Sequence, residues 1–456
     1  MISVLSYGAT GNGVTDDTVA INNAIAAIGT TGGHVYFPAG TYKISNTLNV
    51  NFANVTLIGE GIGATKILST NTSADMVKFY SATQFTGGGV RDMSLEVSGT
   101  ASAGAAIRIN GQRSITLERL WIFYPYAGIV LEGDNRACRL RDIDVSDHVS
   151  DAFTIRGGGN QYLDTCTTYR NSHGGGVTAF LITQTEGAWL NACVSQLASY
   201  GVRVVPGAGQ HVIDLWFTAC DFDASASDGV VFDSGTNGGH ITTVIWNGSR
   251  IGFGDGRGLV IDGNETKDLQ FSNLRSEKNL GHGVVIANGR DIHFSNAFLL
   301  GNASGGAANT NGAHIVGGSG IEFIGGKSGT YETTGNNQNS GIAFGTTFSG
   351  VAVVSGMDLR GNVTAGAINA GSTPASFRDC PGFKTQAQGT AILPAGATSL
   401  SIPHGLAALP VSANISSPFG ATRMFGADVN ATNITVSVNT AIGVASFIRW
   451  WASAEV

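Results

Sequence analysis

The stretch FTACDFDASASDGVVFD, residues 217–233, decides how the chain folds. Two short apolar alternations, one before and one after a run of small and polar residues, are each too brief to bury a core alone. They read as strands separated by a turn. The same unit returns along the chain. Its first part recurs as LERLWI (117–122), LRDIDV (140–145), LDTCTT (163–168), LNACVS (190–195), WNGSRI (246–251), FSNLRS (271–276) and FSNAFL (294–299), and on to FRDCPG (377–382). Its second part recurs as AFTIRG (152–157), AFLIT (179–183), GVRVV (201–205), GLVID (258–262) and GVVIA (283–287). Successive copies lie 22 to 31 residues apart.

Short strands, helix-free connections and this period specify an all-β chain wound as a right-handed parallel β-helix, each coil stacked on the last at ~4.8 Å. Composition agrees. There are 66 glycines and 9 prolines, and 12% of residues are charged, with no G-X-Y period. Such a chain has many strands and tight turns and is neither collagen nor linker. The net charge of −7 and the lack of a basic block argue against a nucleic-acid partner. No run of 18 apolar residues exists to span a membrane. The opening MISVLSYGATG lacks a basic n-region and an apolar h-region, so export by a standard signal peptide is not expected.

Three segments are expected. Residues 1–45 form a cap and first coil, in which DDTVAINNAIAAIG makes a helix with Asp16 and Asp17 at its start and Val19, Ile21, Ile25 and Ile28 on its apolar side. Residues 46–383 form the β-helix. Residues 384–456 alternate with period two between turn residues and read as an antiparallel β-sandwich.

Stacking turns each repeat position into a column. The fourth position of the first part reads Leu120, Ile143, Cys166, Cys193, Cys220, Ser249 and Leu274, so it points inward. The cysteines are then a buried ladder; no CxxC or histidine partner supports a metal, and no cofactor is expected. The fifth position reads Trp121, Asp144, Thr167, Val194, Asp221, Arg250, Arg275 and Phe298, and the seventh Phe123, Ser146, Tyr169, Gln196, Asp223, Gly252, Glu277 and Leu300. Both face out by alternation. Carboxylates, arginines and aromatic rings on one surface suit a sugar polymer, whose rings stack and whose hydroxyls hydrogen-bond.

Asp221, Asp223 and Glu277 are the catalytic candidates. Asp223 and Glu277 lie two coils apart, ~9–10 Å, and Asp221 and Asp223 ~6.5–7 Å along one strand. Both spacings suit an inverting glycosidase. In a lyase, Arg250 or Arg275 would neutralise a uronate and Tyr169 or an arginine would handle the proton. Arg250, Arg275, Tyr169, Asp144, Trp121 and Phe123 are the substrate-binding candidates. The plainer alternative is an Asp221–Arg250 surface salt bridge worth little. Asp144, Asp147, His148 and Asp151 form a second cluster that turn formation explains. Trp189 and Trp216 are expected in the core. The outward column Arg108, Val130, Thr154, Leu181, Arg203, Val231, Val260 and Val285 is largely apolar, and an exposed stripe of that kind calls for a second copy of the chain.

The opening LSYGATGNGVTDDTVAINNAIAAIGTTGGHVYFPAGTYKIS resembles the pectate-lyase-3, or pectin-lyase-like, superfamily, through Tyr7-Gly8-Ala9, Gly11–Asp17 and Val35–Tyr42. The resemblance implies a right-handed β-helix and one of several activities: polysaccharide lyase, polygalacturonase-like hydrolase, mannuronan epimerase or bacteriophage tailspike depolymerase. Of the polygalacturonase motifs only Gly281-His282-Gly283 is present, so His282 reads as a turn residue. The Asp-Pro-His-Glu of the epimerases is absent. GEGIGATK (59–66) lacks Walker A spacing and reads as a coil turn. The tail ILPAGATSLSIPHGL, with its Trp-ending strand, is similar to C-terminal modules of phage tail proteins. The resemblance thus implies a homotrimeric tailspike, on the virion tail or extracellular, that binds a bacterial surface polysaccharide and depolymerises it by hydrolysis or elimination. The alternatives are a bacterial polysaccharide lyase or hydrolase outside phage biology, and a non-enzymatic glycan-binding fibre.

Overall fold

The computed structural model describes residues 1–171, 175–236, 238–304, 310–331, 338–370, 375–407, 410, 412–416, 425–430, 432–439 and 444–454. Parallel strands pair coil on coil from Ile2–Ser3 to Ser376–Arg378, giving a β-solenoid of about 13 turns. One coil shows how sequence makes this shape. Its strands are His211–Thr218, Asp221–Asp223 and Val230–Asp233. Asp214, Ala219 and Ala224 take left-handed φ values of 56°, 53° and 51°. A single left-handed residue turns the chain without a loop, at roughly 1–2 kcal/mol for a residue with a Cβ. The Ala219 corner recurs at Arg119, Asp142, Thr165, Ala192, Gly248, Asn273 and Asn296. It is the extra residue in the apolar–x–x–apolar spacing. It lets Phe217 and Cys220, three apart, both point inward.

The interior is one continuous apolar cluster running from Val4 to Phe383. Phe217, Trp246, Phe271, Phe294 and Phe323 stack in one column, with ring centroids 4.4 to 6.0 Å apart. All five cysteines are free and buried. Burial pushes the Cys138 thiol up to about 12 and holds Cys193 well above its ordinary value. Cys220 is raised by its hydrogen bond with Cys193 and by burial.

The helix Thr18–Ile28 closes the first coil, burying Ile21, Ala24, Ile25 and Ile28 against the solenoid core. Asp16 Oδ1 accepts the Thr18 amide at 3.0 Å, whereas Asp17 is buried and accepts the Thr10 and Gly11 amides. Val19, expected on the apolar side, faces solvent, because the buried stripe follows 21–24–25–28. Residues 59–64 form a turn between strands. Among the described residues beyond 384, two three-stranded antiparallel sheets surround a second core that includes Leu393, Ile402, Ile434, Val436 and Ile448.

Two expectations are corrected. Trp189 and Trp216 are not core residues. Strict alternation places Trp216 between the inward Leu215 and Phe217, and it is 40% exposed. The apolar stripe is not open either: Val130, Thr154, Val260 and Val285 are buried within the single chain, and Leu181, Arg203 and Val231 are half-buried. Each β-branched side chain is flanked by its neighbours in the ladder, and Val130 also packs with Ala105, Ala127 and Tyr126.

Candidate functional site

Register assembles the site. Asp221 pairs with Arg250 and Arg250 with Arg275; Gln196 pairs with Asp223, Asp223 with Gly252, and Gly252 with Glu277. Both outward columns run as the repeat predicts. Cys220 and Phe222 point in, and the two aspartates point out.

The side chains form one ionic network. Arg250 donates from Nε and Nη2 to the two Asp221 oxygens, both at 2.9 Å. Its Nη2 stands 3.2 Å from Asp223 Oδ2, and its Nη1 donates to Glu277 Oε1 at 3.5 Å. Arg275 grips Glu277 Oε2 from Nη2 at 2.6 Å and from Nε at 3.2 Å. Arg250 can reach across its coil because residue 252 is glycine. A β-carbon there would lie 3.1 Å from Arg250 Nη1 and 3.1 Å from the Glu277 carbonyl oxygen.

Three carboxylates meet two guanidiniums, and Asp223 is the one of the three whose proton affinity is raised. Burial pushes its carboxyl above the ordinary value, the Asp221 charge adds to this, and Arg250 opposes it. Its Oδ1 is buried without a hydrogen-bond partner among the described residues. That atom is well placed to carry a proton. Burial opposes the charge of Arg250, but Asp221 and the other two carboxylates outweigh it and hold the guanidinium protonated. Glu277 lies on the outward side as expected, yet its side chain is only 4% exposed. Each of its oxygens is held by an arginine, so it anchors the network and leaves little room for water.

The rim holds residues that the column reading missed. Phe253 is exposed, with its ring centroid 5.4 Å from both Arg250 Cζ and Lys278 Nζ, and Lys278 Nζ lies 4.0 Å from the Tyr331 ring. Phe253 and Lys278 are left-handed residues one step past the seventh position. Their signal was an aromatic and a cation directly after the two arginine-bearing strands, Arg250–Gly252 and Arg275–Glu277.

The remaining candidates lie on the same face but not in the same pocket. Tyr169 is exposed two coils before Asp223 in its column. Trp121 and Asp144 line a groove of about 380 Å³ with Asp92, Arg119, Thr165 and Thr167. Phe123 meets Trp121 edge-on at 6.0 Å. Asp144 accepts from Ser146 and Thr167 at 2.7 and 3.0 Å. Four coil steps separate Trp121 from Asp221, ~19 Å at ~4.8 Å each. In the second cluster, His148 is buried between Thr168 Oγ1 and the Ser150 carbonyl, and burial drives its pKa down to about 4. Asp147 and Asp151 accept the Asn171 and Thr178 amides and so hold turns. His282 accepts the Asn311 amide and packs on His314; burial lowers it to about 4.

Fold and face together define a parallel β-helix with a charged outer wall. Residues 1–203 match the family model for rhamnogalacturonase A/epimerase, pectate lyase-like domains. Mannuronan C5-epimerase AlgE1 of Azotobacter vinelandii is 33% identical over 141 residues, 26% of this chain and 10% of that protein. Among solved structures, the A-module of the A. vinelandii epimerase AlgE4 superposes with a TM-score of 0.60 at 18% identity, covering 83% of this chain and all of that module. The tailspike of E. coli bacteriophage HK620 superposes with a TM-score of 0.63 at 12% identity, covering 100% of this chain and 93% of that one. At these identities the superpositions speak for the fold.

Proposed function

We propose that the protein binds a bacterial surface polysaccharide along this outward face and cleaves it hydrolytically, as a tailspike-like depolymerase. The observation that carries the reading is the Asp221–Asp223–Arg250–Arg275–Glu277 network, in which one carboxyl, Asp223, has a raised proton affinity. Carbohydrate-acting names among the similar proteins, the mannuronan epimerases and an α-1,3-glucanase, support the substrate class.

In this reading Asp223 gives its proton to the glycosidic oxygen as the bond from that oxygen to the anomeric carbon breaks. Asp221, the more exposed of the two, takes a proton from the water that adds to the anomeric carbon. Both carboxyls meet Arg250 Nη2, at 2.9 and 3.2 Å, so these two oxygens stand no more than ~6.1 Å apart, short of the ~6.5–9.5 Å that inversion needs and against the sequence expectation. Glu277 orients Arg250 and Arg275. A neutral sugar fits better than a uronate, because the two arginines that would hold a uronate carboxylate are already engaged by protein carboxylates. Hydrolysis is therefore favoured over elimination. Trp121, Phe123, Asp144 and Tyr169 would bind the chain further along the same face. The tailspike reading carries with it a homotrimer and a place on a virion tail or outside the cell.

The test is incubation with bacterial capsular polysaccharide and lipopolysaccharide. New reducing ends from the wild type, and none from a folded Asp223→Asn variant, are expected. Absorbance from an unsaturated uronate would instead mark a lyase. Tight binding without products would mark a glycan-binding fibre, a reading that the arginine-locked Glu277 favours.

A further inference from the structure

The displaced tryptophans belong to an outward row that the candidate site does not use. In register, Arg139 pairs with Tyr162, Tyr162 with Trp189, and Trp189 with Trp216. The Arg139 guanidinium lies 5.2 Å from the Tyr162 ring centroid, and the Tyr162 and Trp189 rings stack at 5.0 Å with 17° between their planes. Near-parallel rings touch at ~3.5–4 Å, so a 5.0 Å centroid separation means the rings are offset and each leaves part of its face uncovered. Trp216, the last aromatic of the row before Ile245, is 40% exposed. The neighbouring outward row is Arg141, Asp164, Asn191 and Thr218, with Asn191 donating to Asp164 at 3.1 Å. An apolar ring surface beside a row of hydrogen-bonding groups of mixed sign is complementary to a molecule with apolar faces and hydroxyl edges. It is a poor match for a protein hot spot, which needs a continuous desolvated centre.

We infer that Tyr162, Trp189 and Trp216 form a saccharide-binding strip that holds a polysaccharide chain along the solenoid axis, remote from bond cleavage. The strip lies one corner, Ala219, away from Asp221 on the same coil, so a polymer held there can continue onto the acidic face. This deepens the polysaccharide-acting reading and rests on it. The strip adds binding surface for a long chain beyond the Asp221–Asp223 site.

The test is affinity electrophoresis of the full chain in gels containing bacterial capsular polysaccharide, lipopolysaccharide O-chain or α-1,3-glucan. The wild type is compared with W189A/W216A, W216F and D223N, all checked for unchanged fold by circular dichroism. The strip is supported if the wild type and D223N are retarded by a polymer, W189A/W216A loses at least 10-fold in affinity for it, and W216F keeps most of it. Equal retardation of W189A/W216A overturns the strip and leaves the parent reading intact. Retardation of no polymer by the wild type overturns both. A W189A/W216A variant that binds sugar normally but changes oligomeric state makes the row a subunit contact and also overturns the proposal.

Discussion

A carboxyl that binds its proton more tightly when folded than when unfolded makes stability depend on pH in a definite direction. Asp223 is such a group, raised first by burial. Its contribution is fully present below the unfolded value, near 3.8, and is lost as pH rises through the folded value. An Asp223→Asn change removes the cost of burying that charge. Thermal melts should show the Asp223→Asn protein with a higher midpoint than the wild type at pH 7 and no gain below pH ~3.5. A lower midpoint at pH 7 would mean that the Arg250 contact outweighs burial. Arg250→Gln should do the opposite. It leaves three carboxylates facing one another and should cost ~1–3 kcal/mol in denaturant titrations, less in high salt. At this scale the sequence was legible where alternation holds. Asp221, Asp223 and Glu277 were placed on the right side because the strands around them are regular. The closure of Arg250 and Arg275 over Glu277 was not legible, since it depends on a missing side chain at Gly252 and on rotamers, not on column position.

The coil is the element that matters next. Its inward residues were readable because large apolar residues recur at fixed spacing, and the left-handed corner explains why that spacing is three and then two. Trp189 and Trp216 run against a tryptophan's usual burial because strand parity turns them outward. Trp246 is the contrasting case. It is fully buried between Phe217 and Phe271, and its Nε1 donates to the Ser249 carbonyl. Trp246→Ala should cost ~3–5 kcal/mol, read as a fall in the denaturation midpoint. A loss under ~1 kcal/mol would contradict the packed column. The stacked thiols give a second check: none of the five cysteines should react with an aromatic disulfide reagent until the solenoid unfolds. Prompt labelling of Cys193 or Cys220 in the native protein would place that ladder outside.

At the scale of the molecule, the solenoid with its capping helix and C-terminal antiparallel sheets was legible from end to end, because each part carries its own period. The number of chains was not. The valine column that called for a partner is mostly covered by its own neighbours, and burial of that kind depends on the side chains above and below, which a pattern of letters does not give. The tailspike reading expects light scattering to return three times the 46.8 kDa of one chain. A monomer would favour a polysaccharide-acting enzyme of another setting. What the whole account stands on is where the sugar lies. A crystal structure of the Asp223→Asn protein soaked with an oligosaccharide released by the wild type decides it. A glycosidic oxygen within hydrogen-bonding distance of residue 223 and a sugar ring beside Asp221 are expected. A sugar bound on another face, with the network empty, would contradict it.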